Sequence, residues 1–243
     1  EVTMQSVRQP AVAGQFYPGQ AAALSREIAG FLSEARAEGG GGGAPPKAII
    51  VPHAGYVYSG STAALAYARL APLRGIVKRV VLLGPVHRVA VKGLALDTAE
   101  VFATPLGTIA IDQAAVRQIS DLSQVVTSHA AHAMEHSLEV QLPFLQSVLG
   151  TFSLVPLAVG NATPAEVAQV LDALWGGPET LFMISSDLSH YLPYATAQVT
   201  DRATVDAILQ LQGPVTHNQA CGGTPINGLL LAARKHHLKP ALL

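Results

Sequence analysis

Cysteine is almost absent from this chain: Cys221 stands alone among 243 residues, which excludes an intrachain disulfide framework and leaves one thiol to be explained. Charge is scarce as well. Charged residues make up 13% and sum to a formal net charge of −1, so no basic stripe faces a phosphate backbone or an anionic lipid surface, and neither nucleic acid nor a membrane is an expected partner. Long apolar runs are missing. The longest lies near Gly228-Leu229-Leu230-Leu231-Ala232-Ala233, far short of the ~18 residues of a spanning helix. The N-terminal end shows no basic region followed by an apolar segment, so a soluble, cytoplasmic protein is expected.

What the chain has is apolar bulk, 49% of residues, enough for an extensive core in one domain over residues 1–243. The expected class is α/β, with a mainly parallel central sheet covered by helices. Arg8 to Pro18 reads as an extended, packed lead-in. Leu24, Ile28, Leu32 and Ala35 fall at helical spacing within Ala21 to Ala37. The glycine run Gly39 to Gly43 and Pro45-Pro46 make 39–46 a flexible surface loop with no phosphate-binding pattern. Strands at Ala48–Val51, Arg79–Leu83, Phe152–Val159 and Thr180–Ser185 alternate with helices at Ser61–Leu70, Pro164–Trp175, Ala195–Leu211 and Ile226–His237. Leu94–Asp97, Val101-Phe102 and Thr108–Ile111, set about the turn Thr104-Pro105-Leu106-Gly107, read as an antiparallel excursion forming part of a lid.

The chemistry gathers where strands stop. In Val51-Pro52-His53-Ala54-Gly55-Tyr56-Val57-Tyr58-Ser59-Gly60, proline removes a ladder donor, ends the strand and leaves His53 at its rim. Alone, such a histidine is as well explained as a hydrogen-bonding cap. The motif recurs, however: Gly84-Pro85-Val86-His87 follows the next strand, and Ser185-Ser186-Asp187-Leu188-Ser189-His190-Tyr191 follows another. Parallel strands put these segments at one edge, the carboxyl edge where open α/β sheets bind ligands. Tyr56, Ser59 and Ser186 are the expected substrate-pocket residues.

His129, His132 and His136 share one helical face if Ser128 caps a helix there, which would suit either a zinc site or a single pocket histidine, His136. Two histidines plus the Cys221 thiolate make a plausible three-ligand set with open coordination positions, and a third histidine, with Asp187 or His136 near it, could move protons. Cys221 has a plainer reading as a small buried hydrophobe. A serine nucleophile at Ser185, Ser186 or Ser189 served by His190 and Asp187 is the weaker alternative, since no Gly-x-Ser-x-Gly elbow is present.

Arg8 to Pro18, Pro52 to Gly60, Leu83 to His87, Glu135 to Leu145, Ser185 to Tyr191 and Cys221 to Ile226 together resemble the MEMO (mediator of cell motility) family. The resemblance implies a fold like the class III extradiol ring-cleaving dioxygenases, with His53, His87 and Cys221 at the metal positions and His190 at the dioxygenases' catalytic histidine. It also implies a small-molecule or peptide occupant of the cleft, an association with radical-SAM system proteins in bacteria and archaea, and a further strand beyond Leu243. The dioxygenases use two histidines and a carboxylate. Cys221 departs from that set, and a thiolate shifts the expected cofactor from iron(II) toward copper, with zinc also compatible. Two functions are therefore expected in alternative: a metal-dependent redox enzyme, or a non-catalytic metal-handling or protein-interaction module.

Overall fold

A computed structural model describes residues 4–243 of the protein. After the two-residue β1 (Val7–Arg8) and helix α1 (Ala21–Ala37), strand β2 (Ala48–Val51) runs into helix α2 (Tyr56–Ala68) and on to β3 (Arg79–Pro85). Strands β4 (Leu94–Leu96), β5 (Val101–Thr104) and β6 (Gly107–Ala110) precede helix α3 (Gln113–Ile119) and strand β7 (Val125–Thr127). Three short helices follow: α4 (His129–Ala133), α5 (His136–Glu139) and α6 (Leu142–Leu149). The chain then alternates through β8 (Ser153–Val159), α7 (Pro164–Ala173), β9 (Thr180–Ser185), α8 (Tyr194–Leu209) and α9 (Gly223–Lys235). No described helix is long and apolar enough to cross a membrane.

The central sheet has six strands in the order β2-β9-β3-β8-β4-β7. Its first four strands are mutually parallel, and β4 turns the direction by pairing antiparallel with β8. Strand residues alternate between two buried faces. Val80, Leu82 and Leu154 pack toward α1, α2 and α6, whereas Val81, Leu83, Val155 and Leu157 pack toward α7 and α9. This is the doubly covered sheet that near-continuous Val/Leu/Ile runs require.

Four expectations need correction. Helix α2 starts at Tyr56, not Ser61, because Gly60 is an interior helix position pressed against α1: a Cβ there would lie 2.5 Å from the Phe31 ring. The excursion after Asp97 is no lid. β4 joins the central sheet, while β5 pairs with β1 on one side and antiparallel with β6 on the other in a separate three-stranded sheet that buries Phe102 and Ile109 in the core. Ser128 does cap a helix, but that helix ends at Ala133 and Glu135 caps a new one, so His129, His132 and His136 share no face. Finally, β7 and α3 lie in a stretch to which the sequence pattern assigned no element.

Candidate metal centre

The registers Val51↔Ser185 and Leu83↔Ile184 bring the carboxyl ends of β2, β9 and β3 to one edge. His53 and His87 follow two of these ends and Asp187 the third. The Cys221 turn entering α9 and the first residue of α5, His136, close the group. The His53 ring centroid lies 5.2 Å from that of His87 and 5.4 Å from that of His136, both edge-on. The His87 and His136 rings stack at 4.6 Å, and Phe16 covers the outer face of His136 at 4.7 Å.

Donor accounting fixes the orientation of His53. The single Ser185 hydroxyl proton goes to the Ser137 carbonyl at 2.6 Å. The Ser185 Oγ accepts from Gln141 Nε2 at 3.0 Å, and Gln141 also donates to the Pro52 carbonyl at 2.9 Å. With its proton spent, Ser185 can only accept from His53 Nδ1, 2.9 Å away. Nδ1 therefore carries a proton and Nε2 is the nitrogen that faces Cys221 Sγ at 3.3 Å. The Tyr67 hydroxyl donates to Gln141 Oε1 and completes this buried chain.

His87 is oriented in the same way by a carboxylate. Its backbone N–H donates to Glu135 Oε2 at 2.6 Å and its Nδ1 to Glu135 Oε1 at 2.7 Å, leaving Nε2 for Cys221. Burial works to raise the Glu135 carboxyl, yet the donors from His87 and Ser137 outweigh it and hold the group at about 2. Cys221, and then Glu135, bring the His87 imidazole up to about 9 against the opposing effect of burial. Burial also raises the Cys221 thiol, but the His53 and His87 rings and the Asp187 N–H, 3.4 Å from the sulfur, bring it down to about 6. The metal-free centre is thus a Cys221 thiolate paired with a protonated His87, with the His53 ring beside them. His136 is pushed down to about 4, chiefly by burial, with Glu135 opposing and the neighbouring rings of His87 and His53 assisting, so at neutral pH it is an uncharged base.

Two overlapping donor groups result, His53/His87/His136 and His53/Asp187/Cys221, each with its ligand atoms within 4.8 Å of one another. The 3.3 Å from His53 Nε2 to Cys221 Sγ compares with about 3.5 Å between nitrogen and sulfur ligands of a tetrahedral metal at ~2.0 and ~2.3 Å. Both imidazoles offer Nε2 while their Nδ1 atoms are anchored by outer groups, the usual arrangement of metal-ligating histidines. The residues fit a metal. The triad expected from sequence is divided between the two groups, and His136 and Asp187 stand close enough to join them.

Other expected site residues lie elsewhere. His190 sits at the rim, 48% exposed, and reaches the cluster only through Asp187 Oδ2 at 3.7 Å. Tyr56 starts α2, is buried, and its hydroxyl donates to the Val140 carbonyl at 2.6 Å. Ser59 donates to the Ala54 carbonyl and steadies the His53 turn rather than facing the cluster. Ser186 lies 4.0 Å from Cys221 Sγ, but its Oγ donates to the Asp187 carbonyl and accepts from Gly222 N–H, so it holds the Cys221 turn. These commitments of Ser185 and Ser186 leave neither as a nucleophile.

Comparison with known proteins agrees in extent with this layout. The model of the Memo-like protein family matches residues 8–240. The chain belongs to the Memo-like family. Three relatives are each described as a MEMO1 family protein. That of Methanococcoides burtonii is 36% identical over 244 residues, covering 94% of this chain and 88% of its own. That of Metallosphaera sedula is 32% identical, with 97% and 90% covered, and that of Aquifex aeolicus is 37% identical, with 84% and 75% covered.

The Memo-like span opens on Arg8, whose role the sequence alone does not disclose. Arg8 Nη1 pairs with Glu139 Oε1 at 2.6 Å, and its other nitrogens donate to the His132 and Glu135 carbonyls. Glu139 in turn accepts from Ala11 N–H, Val12 N–H and the Tyr17 hydroxyl. The lead-in is therefore a strap that anchors α5, and with it Glu135 and His136, against the sheet edge. Glu135 and Gln141 are supporting groups that sequence reasoning left without a role, and Ser185, there a candidate nucleophile, is a third. The available signal was polar residues placed among Leu138, Val140 and Leu142, where an apolar helix would not carry them without partners.

Proposed function

We propose that this protein is a metal-dependent oxidoreductase of dioxygenase-like type acting on a small substrate, with His53, His87 and Cys221 holding one metal ion, iron(II) or copper. The observation that carries this is the pair of Nε2 atoms turned toward a sulfur that is already a thiolate near neutral pH. A bound metal would supply Lewis acidity and a change of redox state. The chain's own residues do the rest. His136, uncharged at neutral pH, accepts a proton beside the centre. Asp187 receives the His53 backbone N–H at 2.8 Å and links the centre to His190, which exchanges protons with solvent. We place the protein in the cytoplasm, where reducing conditions keep a lone thiol free.

The softness of the thiolate favours a second reading, a metal-handling module without turnover, because copper(I) and zinc gain more from sulfur than iron does. Metal analysis of freshly purified protein, followed by anaerobic iron reconstitution and oxygen uptake over a panel of small substrates, separates the two. The enzyme reading expects one metal per chain, lost in His53→Ala, and uptake lost in His190→Ala with metal retained. Bound metal with no uptake on any substrate would leave the handling module.

A further inference from the structure

Against Cys221, and lined by none of His53, His87 and His136, lies a cavity of about 280 Å3. It is bounded by the ends of β3 and β8, the segment after His87, and the turn entering α9. At ~30 Å3 per water this is room for about nine waters, close to the lower bound of small-molecule sites. Its depth is apolar: Val91, Val159 and Pro225 are buried there together with Cys221. Its mouth is polar, with Asn161 and His217 exposed beside Ala90, and among the described residues no carboxylate, lysine or arginine lines it.

We propose that this slot is the substrate subsite of the centre and that it takes a small uncharged molecule, its apolar body against Val91, Val159 and Pro225 and one hydrogen-bonding end at Asn161 and His217. The proposal rests on reading the cluster as a small-molecule site and adds to it a route and a class of ligand. The chemistry follows from the lining. An anion would be stripped of water beside a thiolate, and a cation would meet only a sulfur charge already paired with the histidines, whereas an apolar body gains from every square ångström it covers. The volume suits one substituted ring or a short branched chain. Cys221 is the residue that the slot shares with the histidine cluster, so an occupant reaches the centre from the sulfur side.

Cys221 is the chain's one cysteine, and its alkylation in metal-free protein reads the route directly. Iodoacetamide, N-benzyliodoacetamide and iodoacetate are compared, each rate divided by that with glutathione. The slot predicts that the N-benzyl reagent saturates with concentration and exceeds iodoacetate at least tenfold. Ala90→Trp at the mouth should remove at least tenfold of that advantage while changing the iodoacetamide rate less than threefold, and Thr224→Trp, from the α9 wall, should do the same. Unchanged N-benzyl rates in both variants, an equal slowing of all three reagents, or a preference for iodoacetate would overturn the proposal. The expected alkylation pattern in a protein that binds no metal would uphold the slot and sink the oxidoreductase reading.

Discussion

Ser185→Ala is the sharpest test of how the centre is held. The substitution deletes one oxygen from a fully buried site and leaves three polar groups without their partner: His53 Nδ1, the second N–H of Gln141 and the Ser137 carbonyl. Each orphaned buried group costs about 1–3 kcal/mol. Gln141 keeps its bond to Pro52, and the rings can shift slightly, so the sum should fall well below the simple total, at about 2–4 kcal/mol. For a chain of this length that is a fall in melting temperature of roughly 4–16 °C. The second effect is on the imidazole. Freed of its acceptor, His53 has no reason to keep its proton on Nδ1, and loss of such an outer partner typically lowers metal affinity ~10–100-fold. Thermal melts, zinc titration and 15N shifts of the imidazole nitrogens measure all three. A variant within ~0.5 kcal/mol of the parent, with Nδ1 still protonated and zinc affinity unchanged, would refute the hydrogen-bond accounting.

Arg8→Met should cost about 3–5 kcal/mol in urea unfolding, because it strands the Glu139 carboxylate in the interior; addition of Glu139→Gln should recover part of the loss. In metal-free protein the iodoacetamide rate at Cys221 should rise as pH rises through about 6, since the thiolate is the reacting form, and a midpoint near 9 would contradict the imidazole-paired sulfur. Glu135→Gln should destabilise the metal-free protein most between pH 4.5 and 6.5, the ordinary values of the two partners. The raised His87 pKa contributes below 6.5 and fades as pH rises through about 9, while the depressed Glu135 pKa contributes above 4.5 and fades toward about 2. Equal losses at pH 5.5 and pH 9.5 would argue against that ion pair. Cys221→Asp should shift metal preference from copper(I) and zinc toward iron(II) in competitive titration, and an unchanged order would make Cys221 a packing residue.

The strands β2 and β9 are legible to the residue in the sequence because a continuous apolar run bounded by Pro52 on one side, and by the serines after Ile184 on the other, has few alternatives. The edge location of His53 and His87 follows from those same boundaries. Helix α2 was harder. Gly55 and Gly60 read alike in sequence, yet one precedes the helix and the other lies inside it, a difference made by the distant Phe31. The division of the histidine-rich stretch into α4 and α5 was hidden for a related reason: Glu135 is both a helix cap and the partner of His87, a residue 48 positions away. The second-tier groups Ser185 and Gln141 are visible only once the β9 end and α5 to α6 are side by side, since their meaning lies in which proton is already spent.

The strap from Arg8 to Tyr17 also sets a clock on the centre. Ala11 and Glu139, which it joins, are 128 residues apart, and closing a loop of that length costs about 4 kcal/mol before any contact is made. At ~5–20 residues per second of synthesis, the first-made segment waits roughly 6–26 s for its partner to emerge. During that interval Phe16 and Tyr17 lack His136 and Glu139, the α5 groups they pack against and hydrogen-bond. Maturation of the centre is then governed by a segment far upstream of Cys221: His136 acquires its Phe16 cover, and Glu135 its fixed position, only when the earlier-made strap docks.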